Sequence, residues 1–185
     1  MLANFNNDGA VVVNAGNLDL HGSGIHTGSF NLVPGASLRF RDAGINTFTS
    51  TSAVTGAGLV HLFNGPQVSV DGAVAPGAIR VDGGTLTLIT AATTGSLDLN
   101  GGAIAGTGSL TVGTAYNDAG GASVTLSGAL NVHQSTGDLV FASPVTTGGD
   151  LTAVAAGGSL QALAPLATTG GALTLTASDS LLPSV

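Results

Sequence analysis

The stretch SGALNVHQSTGDLVFASPVTTGGDLTAVAAGGSLQALAPLATTGGALTLTA, Ser127 to Ala177, repeats one short pattern five times. A small residue or Gly precedes Leu, one residue intervenes, and a second apolar or small residue follows. The copies centre on Leu130, Leu139, Leu151, Leu160 and Leu173, separated by 9, 12, 9 and 13 residues, so alternate copies recur every 21 or 22. An inward-x-inward pair is the signature of a strand with one buried face. Gly-Gly, Asp-Gly and Thr-Gly steps between the pairs supply tight corners. A fixed period of this length marks a solenoid, in which each coil buries its apolar face only by stacking on its neighbours.

Two interleaved series carry the pattern back through the chain. One runs Leu18, Leu38, Leu59, Ile79, Leu97, then Leu139, Leu160 and Leu181; the gap of 42 after Leu97 equals two coils. The other runs Phe30, Phe48, Val68, Leu86, Leu110, Leu130, Leu151 and Leu173. Pairs such as Leu18/Leu20, Leu38/Phe40, Leu86/Leu88 and Leu97/Leu99 are expected to face inward. Two signals in each coil of about 20–21 residues predict a parallel β-helix of roughly eight or nine coils. Stacked at about 4.8 Å, these make a rod roughly 40 Å long. Right-handedness follows from the general preference of parallel crossovers. A β-sandwich also has short alternating strands, but it gives no reason for the series to stay in phase from Leu18 to Leu181.

The span 1–185 reads as one domain: irregular repeats over 5–112, a loop excursion over 113–121, and regular repeats over 122–182. The excursion is expected because GTAYNDAGG fits neither series. A second excursion is expected between Thr47 and Thr55, with Phe48 anchoring its start. In GLVHLFNG, from Gly58, the alternation also allows Val60 and Leu62 to point inward, and His61 is expected on the wall rather than in the core.

Composition narrows the function classes. The chain has 30 Gly, 43% apolar residues and 7% charged residues, with ten Asp, three Arg and neither Glu nor Lys. Such apolarity is incompatible with ordinary disorder, and the lack of Glu and Lys argues against long helices. The net charge is −7 and no cation follows Arg80, so nucleic acid finds no partner for its phosphates. No apolar run reaches the roughly 18 residues of a membrane-spanning helix. The opening MLANFNNDGA lacks a basic, apolar leader. This favours a piece excised from a longer exported protein, and the absence of Cys is compatible with export.

The stretch ASVTLSGALNVHQSTGDLVFASPVTTGGDLTAVAAGGSLQALAPLATTGGALTLTA, Ala122 to Ala177, resembles the haemagglutinin repeats of filamentous-haemagglutinin-type adhesins. FNNDGAVVVNAGNLDLHGSG, from Phe5, through GSLDLNGGAIAGTGSLTV, ending at Val112, is similar to the looser repeats of autotransporter and two-partner-secretion passengers. The resemblance covers nearly the whole chain and implies an extracellular, surface-exposed adhesin or stalk. The Asn-Pro motifs of the two-partner-secretion recognition domain are missing, and no translocator barrel is present.

For catalysis, a polysaccharide-cleaving β-helix needs acidic groups for calcium beside Arg or Lys. The periodicity places Asp19, Arg39, Val60, Arg80 and Asp98 in one outward column, read as a solvated charge ladder or a saccharide or carboxylate contact site. Asp71 and Asp82 each precede Gly and read as turn residues, not as a glycosidase pair with Asp98. His21 and His26 offer at best two metal ligands, too few for a site. The calcium-binding GGxGxD unit does not occur. An ice-binding solenoid needs a regular Thr-x-Thr ladder; Thr85/Thr87 and Thr174/Thr176 are isolated steps, and Asp19, Arg39 and Asp98 are expected to interrupt them. Catalytic, metal and cofactor sites are thus not expected, and binding residues cannot be named. The expectation is a structural or adhesive segment, with a self-assembling filament subunit as the alternative. Its partners would be flanking coils, copies of itself end to end, or a surface glycan or protein of a host or bacterium.

Overall fold

A computed structural model describes residues Ala3 to Leu182; residues 1–2 and 183–185 of the expected domain lie outside it. Its described residues contain strands and no helix, and the strands pair in parallel as a β-solenoid. Nine strands succeed one another along the first wall, from Ala10–Val13 through Ser29–Leu32 to Leu173–Ala177, so the rod has nine coils. Partners in adjacent coils range from 18 apart (Ala92 and Leu110) to 24 apart (Phe30 and Val54).

Each coil has three walls. The first carries the column Val11, Phe30, Val54, Val74, Ala92, Leu110, Leu130, Leu151 and Leu173. The second carries Leu18, Leu38, Val60, Ile79, Leu97 and Tyr116, and continues in a separate sheet as Leu139, Leu160 and Leu181. The third carries Asn46, Val68, Leu86, Ile104, Val124, Val145 and Leu166. From the third coil to the sixth, the first and second walls are joined in one bent strand, such as Ala53–Phe63, with the register shifting at the bend.

The sequence shows only two signals per coil because the third wall's strands are short and partly polar inside. In Val145–Thr147 and Leu166–Thr168 the second inward position is Thr, which gives no apolar pair. Its hydroxyl is satisfied at the corner: Thr147 Oγ1 donates to the Gly149 carbonyl and Thr168 Oγ1 to that of Gly171, both at 2.8 Å. The second series therefore mixes walls. Phe48, Val68 and Leu86 stand on the third, whereas Phe30, Leu110, Leu130, Leu151 and Leu173 stand on the first. Its longest step, 24 from Leu86 to Leu110, falls where it changes from the third wall to the first.

Three further expectations are corrected. Residues 113–121 do not form an excursion: Leu110–Asp118 is one strand, and Tyr116, 2% exposed, fills the column position after Leu97. Its ring fills the core position while its hydroxyl finds a partner in Asp118. The segment from Thr47 to Thr55 joins the strands Ile45–Phe48 and Ala53–Phe63 through a tight corner, closed by Ser52 N donating to the Thr49 carbonyl at 2.9 Å. In the third coil Val60 and Leu62 point inward and Leu59 leaves the column, while His61 stands on the outer face of the wall, as expected.

The corners explain part of the glycine content. Gly84 has φ +85°, and a β-carbon there would meet the Pro66 carbonyl oxygen at 2.2 Å, so both its conformation and its clearance exclude a side chain.

The core column makes a specific prediction. Leu151 is fully buried, and Leu151→Ala should lower unfolding free energy by about 2–5 kcal/mol, the range of a large-to-small core change. Leu173, in the same column but 45% exposed, should cost about 1 kcal/mol when replaced by Ala. Urea denaturation of the two variants checks the ordering.

Candidate functional site

Outward positions of the second wall run Asp19, Arg39, His61, Arg80, Asp98 and Asn117 in strict register. This is the expected charged column with His61, not Val60, at its third place, because the inward residue of that coil is Val60. Two residues along, Arg41 lies opposite Phe63. All three arginines of the chain thus occupy one wall across three consecutive coils.

The arginines are held by carboxylates. Arg39 donates from Nε and Nη2 to the two oxygens of Asp19 at 2.5 and 2.7 Å, and Arg41 donates from Nη1 to the same carboxylate at 3.2 Å. The hydrogen bond from Arg39 holds the Asp19 carboxyl below its usual range despite opposing desolvation, with Arg41 assisting. At Asp82, desolvation pushes the pKa up, but hydrogen bonds from Arg80, Asn100 and His61 and the Arg80 charge outweigh it and lower the value to about 2. Those donors approach at 2.8 Å from Arg80 Nε, 2.7 Å from Asn100 Nδ2 and 2.7 Å from His61 Nε2. Asp82 is ionised and can only accept, so His61 donates to it from Nε2. Asn117 donates from Nδ2 to Asp98 at 2.6 Å, and His21 Nδ1 pairs with Asp42 at 2.9 Å.

The Arg41 guanidinium carbon sits 5.3 Å from the centre of the Phe63 ring, and the His61 ring centre lies 5.8 Å from it. Arg39, Arg41, His61 and Phe63 line a cleft of about 220 Å³ on the outer surface.

The other residues considered from sequence are dispersed. Asp71 lies in the corner after the third-wall strand Gln67–Val70, and its amide donates to the Phe48 carbonyl at 3.0 Å. Asp82 belongs to the arginine–histidine cluster, so it has more than the turn role read from its Gly neighbour. His21 is exposed and His26 fully buried, so they form no pair. The steps Thr85/Thr87 and Thr174/Thr176 stand on the third and first walls, whereas Asp19, Arg39 and Asp98 stand on the second. What interrupts the third-wall ladder is Ile45 and Gln67 on one side of the Thr85/Thr87 step and Ala103 and Ala105 on the other.

Two polar nodes inside the rod escaped sequence reasoning. Asp118 accepts five hydrogen bonds: from Gly120 N and Ser143 Oγ on one oxygen, and from Ala142 N, Ser143 N and the Tyr116 hydroxyl on the other. It ties the sixth coil to the seventh where the second wall passes into its separate sheet. The Asp118-Ala119-Gly120 step was a visible turn signal, but the long-range donors were not. The second node is His26, enclosed by Phe5, Phe30 and Phe48, with Nε2 3.2 Å from Asn46 Oδ1. Asn46 spends its amide on the Gly22 carbonyl, so its oxygen accepts and His26 Nε2 donates; Nδ1 has no partner. Desolvation therefore lowers the His26 pKa, with the Asn46 bond opposing.

Family models, characterised proteins and solved structures offer no match to this chain.

The two nodes lead to separate predictions. Asp118→Asn turns an acceptor edge into an amide facing backbone donors and should destabilise by about 2–3 kcal/mol, read as a lower urea midpoint. Because His26 is held neutral, the unfolded chain binds its proton more readily. Its contribution is intact above the ordinary value of 6.5 and declines as pH falls below it. Stability profiles between pH 8 and 5 should show this decline in the native chain, and His26→Phe should remove that component whatever its absolute stability.

Proposed function

We propose that this chain is a structural and adhesive segment of a secreted bacterial surface protein, a rod of coils that presents one contact wall to its surroundings. The observation that carries the reading is the concentration of every arginine on the outer face of the second wall, over an otherwise sparsely charged solenoid. Solenoids of this kind offer long regular surfaces suited to extended contacts, and the resemblance of the stretch from Ala122 to Ala177 to haemagglutinin repeats favours a bacterial surface setting. In this reading the cluster binds without turnover, since its carboxylates are spent on holding arginines and a histidine. The purified chain should attach to bacterial or host cell surfaces and release no product from polysaccharides. Depolymerisation of an acidic polysaccharide without attachment to any surface overturns the reading.

A second reading, end-to-end assembly, draws on the last described coils. Leu160, Leu166, Leu173, Leu175 and Leu181 line an apolar groove, with Leu173, Leu181 and Leu182 about half exposed. Backbone groups of an outermost strand are templates for another strand, and a net charge of −7 opposes lateral contact along the rod. Flanking coils or further copies are the occupants this reading names. Sedimentation should then show concentration-dependent association that Leu175→Asp abolishes; a strictly monomeric chain at high concentration excludes it.

A further inference from the structure

We propose that the cleft between Arg39, Arg41, His61 and Phe63 binds a carboxylate-bearing saccharide, a uronate-type unit of an acidic glycan. The proposal rests on the adhesive reading and names the ligand of that same wall.

The donors are present and uncommitted. Arg39 spends Nε and Nη2 on Asp19, leaving Nη1; Arg41 spends only Nη1, leaving Nε and Nη2 without a protein acceptor among the described residues. Arg41 and Arg39 are partly exposed, at 31% and 27% of their side chains. A guanidinium edge with two N–H groups matches a carboxylate bidentately. Both arginines are held in place before a ligand arrives, Arg39 by its two bonds to Asp19 and Arg41 by that carboxylate and the Phe63 ring, which lowers the ordering entropy of binding.

The remaining groups select among anions. Asp19 and Asp82 do not line the cleft but bond to residues that do, so a dianion such as a phosphate monoester meets more repulsion there than a single carboxylate. Acidic peptides share the carboxylate. A sugar ring adds hydroxyl groups for His61 Nδ1, the ring nitrogen that does not face Asp82, and C–H groups for the half-buried Phe63. The cleft, at about 220 Å³, is smaller than pockets that enclose drug-sized ligands, and fits one unit of a chain running over the wall.

The test titrates the whole 185-residue chain with galacturonate oligosaccharides by calorimetry, against neutral malto-oligosaccharides and a polyglutamate peptide. Expected are binding to the oligogalacturonate that weakens with salt, a loss of at least about tenfold in Arg41→Gln, the scale of one charge-assisted hydrogen bond, weakening in Phe63→Leu, and no change in Ser69→Ala on the third wall. Circular dichroism confirms that each variant is folded. If Arg41→Gln fails to fold, Phe63→Leu and the salt dependence decide. Absence of binding, equal affinity for the neutral oligosaccharide, stronger binding of polyglutamate, or indifference of the folded variants overturns the assignment. Surface attachment that persists without oligogalacturonate binding defeats the cleft but leaves the adhesive reading. Oligogalacturonate binding by a chain that attaches to no surface defeats the adhesive reading and leaves the cleft.

Discussion

Hydrogen bonding between each strand and the strand one coil above or below is the constraint on which the rest of the molecule depends. Apart from tight corners such as Ser52 N to the Thr49 carbonyl, the strands pair their backbone groups with the neighbouring coils, in parallel register. Stacked residues therefore occupy equivalent environments, so a column facing the core must be apolar in nearly every coil, as Leu110, Leu130 and Leu151 are. The same constraint brings corners into backbone contact. At Gly108 a β-carbon would lie 1.9 Å from the Thr90 carbonyl oxygen, and this close approach forces small residues at turns.

Polar groups inside such a rod are tolerated where they replace a backbone or corner contact. Asp118 gathers donors from the coil above, and Gln134 accepts from Tyr116 N at 2.7 Å, both where the second wall becomes a separate sheet. These side chains supply hydrogen bonds at a point where the ladder itself is interrupted, and burial makes each of them costly to lose. His26 differs in having one ring nitrogen unpaired inside an aromatic enclosure, which makes the first coil a part of the core sensitive to acid.

Parallel register also produces the charged wall. Side chains at equivalent outward positions stand one strand spacing apart, about 4.8 Å, so Asp19 and Arg39 on successive coils pair without any sequence proximity. Exposed pairs of this kind contribute little to stability. Their consequence is positional: the carboxylates orient the guanidinium groups and leave particular N–H groups without a protein acceptor among the described residues.

The sequence by itself determined the solenoid, its period of about 20 residues and most of the inward pairs, because apolar alternation and glycine spacing are local signals repeated in every coil. It also placed Arg39, Arg80, Asp19 and Asp98 on one column, since a near-constant period converts sequence distance into stacking. It did not reveal the third wall, whose strands hide inward Thr and Asn that are satisfied by corner carbonyls or by a buried histidine. Nor did it reveal that Tyr116 continues the leucine column, or that His61 rather than Val60 joins the arginines. Those facts depend on a one-residue choice of register at the bends, and a one-residue slip exchanges the two faces of a strand. Only the packed stack of coils, where Val60 and Leu62 fill the core and His61 meets Asp82, resolves that choice.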